Sequence, residues 1–438
     1  MASDQSLPVS EPVTDAAIIT PAPKIRNRKK IVDPVEVEKA VDALWEAADK
    51  PESFRTELLA FLRRTLDEGR SEIERRFLES NDGAEAIRAN AYLMDVLVLR
   101  AAETATKKIY RNANPTQGEQ ICVAAVGGYG RGEMAPFSDL DLLFLLPYKQ
   151  TPYSEQVVEY ILYLLWDLRL KVGHSTRSVD ECVRQAKADM TIRTSLLELR
   201  YLWGSEPLFA DLRERFRKDV ETGTAMEFVE AKLLESEERH DRLGDSRYVI
   251  EPNIKESKGG LRDLHRLFWI GKYVYKVDKV KDLVDRGVLT AAEARKFAKA
   301  QKMLWTIRCH LHYLTGRGEE RLTVDLQTEI AKRMGYTNRA GAVAVERFMK
   351  HYYLTSKDVG DLTRIFCANI EAENQKRPRL RLSWAFSRKP EVGDFQVDGD
   401  RLNVTDDEMF ARDPVNLIRF FHTAQKHDLG CIPMRFGW

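Results

Sequence analysis

The chain has 438 residues, which favours two or three domains over one. Hydrophobic residues make up 43% of it and charged residues 31%, a balance typical of soluble globular proteins. Its 69 basic and 68 acidic side chains leave a net charge of +1, so no global field favours nucleic acid or a membrane surface. The five cysteines are scattered without CxxC spacing, which argues against disulfides and zinc and indicates a reducing cytoplasm.

The N-terminal third combines a polar tail with a helical region. Residues 1–33 are rich in Ser, Pro, Ala and Thr and end in a basic cluster, so we predict a disordered tail. This tail lacks the apolar stretch of a signal peptide. Apolar residues then recur every three or four positions, as in Val35–Trp45, which predicts helices over 34–115.

The period changes at Ile121, where a short apolar run indicates a buried strand. Strands are predicted for Ile121–Val126, Asp139–Leu146 and Val172–Ser178, and a helix for Val157–Leu170. The stretch Thr194–Trp203 fits either a helix or a strand. These elements define a domain over 116–215.

The remainder is predicted to be mostly helical over 216–375, with an interruption at Val249–Gly260 that contains Pro252. A last segment, 376–438, has a different character. The turn Asp398-Gly-Asp predicts a hairpin from Phe395 to Val404, and Pro414–Gln425 is typical of a helix.

A glycine turn and a pair of aspartates carry the chemistry. Gly127-Gly128 follows the first predicted strand, and Asp139 and Asp141 lie at i and i+2 on the second, so both carboxylates point to one face. Such a pair on an exposed strand is usually unremarkable, but the flanking leucines predict burial, where two acids are costly unless a cation joins them. Mg²⁺ prefers such oxygen ligands together with substrate phosphates.

Basic residues near two glycine turns are predicted to meet phosphate. Glycines allow a phosphate to approach the backbone closely, and arginine pairs with its oxygens. A second turn, Gly259-Gly260, precedes a helix whose N-terminus favours anions, although it could equally pack two parts of the chain together. Asp263 is a weaker candidate for a salt bridge or a metal contact. The predicted nucleotide-binding residues are Gly127, Gly128, Arg131, Ser138, Lys255, Lys258 and Arg262.

The loop Gly127–Leu142 resembles the signature of the DNA polymerase β-like nucleotidyltransferase superfamily. The resemblance implies an α+β fold, with a small mixed sheet and helices, flanked by N-terminal helices and followed by an all-α domain. It also implies metal-dependent transfer of a nucleotidyl group with release of pyrophosphate, using Mg²⁺ or alternatively Mn²⁺ on Asp139 and Asp141. Members usually have a third carboxylate, for which Asp167 and Glu198 are the candidates.

Further motifs are similar to those of the protein-PII uridylyltransferases. These motifs are Val172–Arg177, Ser195–Gly204, Glu251–His265, Leu311–Gln327 and Asp358–Arg364. The resemblance implies transfer of UMP from UTP to a tyrosine of the PII signalling protein, in cytoplasmic nitrogen regulation, with no nucleic acid or membrane partner. Oligomeric state stays open.

Full-length members of that family also carry an HD phosphohydrolase domain and two ACT domains, and neither is visible here. The dipeptides His240-Asp241 and His427-Asp428 stand alone, without the further ligands that an HD site needs. We therefore expect transferase activity without UMP removal or glutamine sensing in this chain, and an atypical end after about residue 429 where the HD domain would begin.

Two alternatives remain open at this point. The chain could be a relative of the glutamine-synthetase adenylyltransferase, which has related motifs and uses ATP, or a non-catalytic fragment of the same fold. A nucleic-acid polymerase such as a tRNA-end-adding enzyme is disfavoured by the neutral net charge and the lack of a basic, aromatic-rich face.

Overall fold

A computed structural model describes residues 25–112, 114, 116–243, 246, 248–375, 395–398, 401–404, 409–426 and 430–431. Most of the regular structure is helical. The helices are α1 Pro34–Ala47, α2 Pro51–Ser80, α3 Gly83–Glu103, α4 Gly127–Gly130, α5 Pro152–Asp167, α6 Val179–Ala188, α7 Met190–Leu197, α8 Glu206–Arg215, α9 Ala225–Arg242, α10 Leu261–Tyr275, α11 Val280–Asp285, α12 Ala291–Thr315, α13 Val324–Arg333, α14 Ala344–Gln375, α15 Met409–Arg412 and α16 Val415–Lys426. The helical character predicted for 34–115 and 216–375 is confirmed.

The boundary predicted for the N-terminal tail needs a correction. Residues Arg28–Lys30 form a 3-10 turn, and Ile31 and Val32 behind it are buried at 4% and 5% exposure. Asp33 then caps α1 by accepting a hydrogen bond from the backbone N–H of Val35. The burial of Ile31 and Val32 anchors the end of this polar segment, so regular structure begins before residue 33.

The sheet is built from four strands in the order β3-β2-β1-β4. The strands are β1 Cys122–Ala125, β2 Leu140–Leu146, β3 Val172–Ser178 and β4 Arg200–Gly204. β1 is antiparallel to β2 and β4, whereas β2 is parallel to β3 because α5 crosses over between them. The predicted small mixed sheet and the α+β class are therefore confirmed, and the ambiguous stretch Thr194–Trp203 contains the end of a helix and most of a strand.

The helices before and after the sheet pack with it into one unit that extends to Thr363. α3 contacts α2, α5, α12 and β4, so it joins all three segments that were predicted as successive domains. Its apolar side chains are buried almost all round, including Leu93, Leu97 and Val98. Within the described residues, no helix combines the length and the apolarity that crossing a membrane requires.

Residues from Arg364 onward form a second unit. Its strands are β5 Phe395–Asp398, β6 Arg401–Val404 and β7 Gly430–Cys431, of which β5 and β6 pair as an antiparallel hairpin. The predicted hairpin and the predicted helix before residue 426 are confirmed. His427 and Asp428 lie outside the described residues.

Candidate active site

The two aspartates lie at the start of β2, beside the glycine turn that ends β1. Asp139 immediately precedes the strand and is exposed, and Asp141 is its second residue and is partly buried. The backbone N–H of Val126 donates to the carbonyl oxygen of Asp141 at 3.1 Å, which ties the two strand ends together. Gly127 has a φ of +58°, and a Cβ placed there would lie 3.3 Å from Asp141 Oδ2. The turn thus needs glycine for its conformation and for the carboxylate beside it.

A third glycine makes room for the same carboxylate. Gly173 faces Asp141 in the parallel register of β2 and β3. A Cβ at Gly173 would lie only 2.6 Å from Asp141 Oδ1. Sequence reasoning missed this residue, although a glycine inside a strand often marks such a close approach.

Electrostatics at this point favour a cation. Burial raises the pKa of Asp141, the charge of Asp139 raises it further, and Lys255 opposes both. Oxygen-only donors suit Mg²⁺ or Mn²⁺. The described residues contain no group of three or more His, Cys, Asp or Glu side chains placed to hold a metal ion. Asp139 and Asp141 therefore fit a divalent ion that takes its other ligands from substrate phosphates and water.

Neither candidate for a third carboxylate presents a free oxygen beside this pair. Asp167 ends α5, and its side chain is 44% exposed. It pairs with Arg55 at a distance of 2.7 Å and does not line the cleft. Glu198 does line the cleft, but it is only 4% exposed. Its carboxylate accepts hydrogen bonds from Arg131 Nη1, at 2.7 and 2.6 Å, and from the indole N–H of Trp269.

The same contacts determine what Arg131 can do. Its Nε donates to Glu133 at 2.9 Å, so two acids hold the guanidinium and only 12% of the side chain is exposed. Arg131 lines the cleft, yet its charge is already compensated by the buried pair. Arg131 thus connects the glycine turn to α10, because Glu198, which it binds, also accepts a hydrogen bond from Trp269 on that helix.

Asp139 and Asp141 line a cleft of about 550 Å³. Residues of α9, α10 and α12 form its opposite wall. Lys255 and Arg262 line this cleft, as the sequence analysis expected, whereas Lys258 does not. Burial lowers the pKa of Lys255, and the charges of Arg308 and Arg262 lower it further. Arg262 donates to Glu256 at 2.9 Å and lies 5.5 Å from the ring centre of Trp269.

Asp263 holds the second glycine turn, Gly259-Gly260, in place by hydrogen bonding. Its Oδ2 accepts from the backbone N–H of Gly259 at 2.8 Å, and its Oδ1 binds Arg239 and His240. Although burial raises the pKa of Asp263, the hydrogen bond from His240 and the nearby arginines hold it below its ordinary value. The packing interpretation of this turn is therefore supported, and Asp263 serves it through a salt bridge.

Several cleft residues were not predicted as site residues, although three of them, His265, His312 and Glu320, lie within motifs noted in the sequence. The full set is Lys171, Lys232, Glu235, His265, Trp269, Arg308, His312 and Glu320. The other five lie on helices or connections whose local pattern is that of an ordinary amphipathic or polar segment. Lys232 is only 3% exposed and binds Glu235 at 2.6 Å, so it brings a buried ammonium group to the cleft wall.

Helix α12 fixes the segment that leads to Asp139. The backbone N–H of Phe137 donates to His312 Nδ1 at 3.2 Å. Burial lowers the pKa of His312, which keeps the ring neutral and able to accept this bond. Arg308 reaches Ser138 Oγ at 3.4 Å and is itself held by Glu320 at 2.6 Å. The helical region after the sheet therefore helps to shape the segment that leads to Asp139.

A small mixed sheet that carries paired aspartates behind a glycine turn, facing a cleft with lysines and arginines on its opposite wall, is the arrangement expected of a nucleotidyltransferase domain. Residues 107–202 match the family described as nucleotidyltransferase domain, and residues 227–367 match the family described as GlnD PII-uridylyltransferase.

Curated relatives extend the match to almost the whole chain. The bifunctional uridylyltransferase/uridylyl-removing enzyme of Azospirillum brasilense is 55% identical over 93% of this chain and 44% of its own length. The corresponding enzymes of Rhodospirillum rubrum and Rhodopseudomonas palustris are 52% and 51% identical over 94% and 87% of this chain. The chain spans less than half the length of these relatives, and over the residues that it spans it belongs to their family.

Proposed function

We propose that the chain transfers UMP from UTP to a tyrosine hydroxyl of the PII signalling protein. The observation that carries this proposal is the Asp139–Asp141 pair, set beside the glycine turn and facing a cleft that Lys255 and Lys232 also line. Support for uridylyl as the group comes from relatives that are at least 50% identical and are named uridylyltransferases. Support for PII as the acceptor comes from the family match over 227–367.

The reaction is a substitution at the α-phosphorus of UTP. A bond forms between the tyrosine oxygen and that phosphorus, the bond to the β-phosphate oxygen breaks, pyrophosphate leaves, and the phenolic proton passes to water. When bound on Asp139 and Asp141, Mg²⁺ or Mn²⁺ would supply positive charge against the triphosphate and the attacking oxygen. The chain's own part is to orient the nucleotide, with the glycine turn on one side and Lys255 and Lys232 on the other.

The test is incorporation of label from α-³²P-UTP into purified PII by the purified chain with MgCl₂. Asp139→Asn and Asp141→Asn should each lower the rate by at least about 100-fold, since removing a ligand of the metal weakens transition-state stabilisation by several kcal/mol. Asp285→Asn, at an exposed position on α11, is the matched control and should retain the full rate.

Two arms decide between this proposal and its competitors. ATP in place of UTP should give little transfer, and a clear preference for ATP would instead indicate an adenylyltransferase. No incorporation by the wild type would indicate a non-catalytic fragment, and equal incorporation by the wild type and both aspartate variants would refute the role of the aspartates.

A further inference from the structure

A second cavity lies beside the segment Met134–Ser138, which leads to Asp139. It has a volume of about 200 Å³, and its walls come from this segment, from α2 and α3, and from the connections around Leu170 and Gly316. One water occupies about 10–15 Å³ on such a measure, so the space is far larger than a packing void. The cavity is therefore large enough for a small ligand with its water.

The charged residues that line this cavity are all cations. They are Arg70, Arg169, Lys171 and Arg317, and no Asp or Glu is among the described residues of the lining. The catalytic cleft differs from it, because that cleft contains Asp139, Asp141 and four glutamates. Like charges that converge on one space repel each other unless an anion joins them. The lining thus selects for negative charge.

Arg70 is the least exposed of these four cations. It projects from α2, is partly buried, and its guanidinium carbon lies 5.8 Å from the ring centre of Phe137. Its Nε is buried without a hydrogen-bond partner among the described residues. Burial lowers the pKa of Arg70, and Asp67 and Tyr313 compensate in part. Arg70 lines the cavity, and an oxyanion there would compensate a guanidinium whose burial Asp67 and Tyr313 offset only in part.

The other three lining cations are exposed to solvent. Arg169 and Lys171 lie on the connection between α5 and β3, are exposed, and form no ion pair with a described side chain. Arg317 is 73% exposed and pairs with Glu319 at 2.9 Å, which leaves part of its guanidinium available. Arg169 also adopts a left-handed backbone conformation, with a φ of +60°, which costs energy for any residue with a Cβ.

We propose that this cavity binds a phosphate-type oxyanion. Arg70 would bind the anion from α2, and Arg169 and Lys171 would bind it from the connection between α5 and β3. Ser138 and Lys171 line both this cavity and the catalytic cleft, so the bound anion would lie next to the segment that positions Asp139. The site is separate from the aspartate pair, which repels free anions when no divalent metal is present.

Equilibrium dialysis of the full chain against ³²P-orthophosphate, at low ionic strength with EDTA, tests the proposal. EDTA removes divalent metal, so binding at the aspartate pair is suppressed while binding to the arginines persists. We expect saturable binding of about one phosphate per chain, and an affinity about ten-fold lower when one charge-assisted contact is lost.

Two variants carry the test. Arg169→Gly removes a guanidinium and suits the left-handed backbone, so it should weaken phosphate binding without lowering the melting temperature. Arg70→Met removes the least exposed of the four cations and keeps an apolar contact with Phe137. Arg262→Gln is the matched control, because Arg262 lines only the catalytic cleft. It should leave phosphate binding unchanged.

Competition identifies the source of the oxyanion. Displacement of phosphate by pyrophosphate but not by UTP supports a free inorganic anion, and displacement by UTP that depends on Arg169 supports the phosphate chain of a nucleotide. The proposal is overturned if no saturable binding is found. It is also overturned if Arg169→Gly and Arg70→Met bind phosphate like the wild type, or if Arg262→Gln alone loses it. None of these outcomes depends on UMP transfer.

Discussion

Replacing Gly173 by alanine is expected to displace the Asp141 carboxylate while leaving the fold intact. The added Cβ would lie 2.6 Å from Asp141 Oδ1, and ordinary van der Waals contact begins at 3.4 Å. The oxygen must therefore move by about 0.8 Å, which is 3.4 minus 2.6. The side chain moves rather than the strand, because ladder hydrogen bonds hold β3 against β2 along seven paired positions.

The expected magnitude follows from that displacement. Misplacing a positioning group by about 1 Å can cost on the order of 100-fold in rate, which corresponds to about 2.7 kcal/mol in activation free energy. Stability should stay the same or rise slightly, because alanine lowers the conformational entropy of the unfolded chain relative to glycine. The variant should therefore lose UMP transfer and keep its melting temperature.

The assay pairs initial rates of UMP transfer with thermal unfolding followed by circular dichroism. Gly118→Ala is the matched control, because the nearest atom to its added Cβ is Thr116 Oγ1 at 3.9 Å. A folded Gly173→Ala protein with the wild-type rate would refute the idea that Asp141 works from its observed position. A fall in melting temperature that parallels the loss of rate would assign the effect to packing instead.

Three further substitutions test the surroundings of the cleft. Glu198→Ala leaves Arg131 buried with one acid fewer and should lower the free energy of unfolding, measured in urea, by about 3–5 kcal/mol. The control Glu329→Ala breaks an exposed pair and should not shift the midpoint of urea unfolding. Equal effects of the two substitutions would contradict the buried-pair argument. Burial lowers the pKa of His310 from 6.5 to about 4. Between these two pH values the imidazole is protonated in the unfolded chain but not in the folded one, so the free energy of unfolding should fall as the pH drops from 6.5 to about 4. His310→Gln should flatten that part of the melting-temperature profile, and an unchanged slope would exclude His310 as its source. Because Lys232 is proposed to orient the nucleotide, Lys232→Met should raise KM for UTP more than it lowers kcat. An unchanged KM would show that Lys232 does not contact the nucleotide.

Much of the nucleotidyltransferase region was predictable because its signals are local. A buried strand needs only a short apolar run, and the predicted strand Val172–Ser178 matches β3 residue for residue. The bounds of β1 and β2 differ by one residue at the ends, where pairing with a neighbour decides. Gly127-Gly128 and the aspartates also lie within one stretch of chain, so their proximity follows from strand, turn and strand.

Contacts between distant segments were not predictable in the same way. The surface of α5 pairs Asp167 with Arg55 from 112 positions earlier, and that partner decides that Asp167 does not reach the cleft. Glu198 does reach it, but its acceptors are used by Arg131 and Trp269 from two other segments. A carboxylate's position along the chain does not reveal which donors surround it, and those donors determine whether it is free to bind a metal.

By itself, the sequence determined the strand–turn–strand unit and the pair of carboxylates on it, because backbone conformation and side-chain alternation are local properties. Only the tertiary structure decided which residues surround that pair. It placed Gly173 against Asp141, brought α9, α10 and α12 across the cleft, and gathered Arg70 with Arg169 around a second cavity. Burial and charge act through space, so the chemistry available to each side chain was settled by neighbours that the chain supplies from far away.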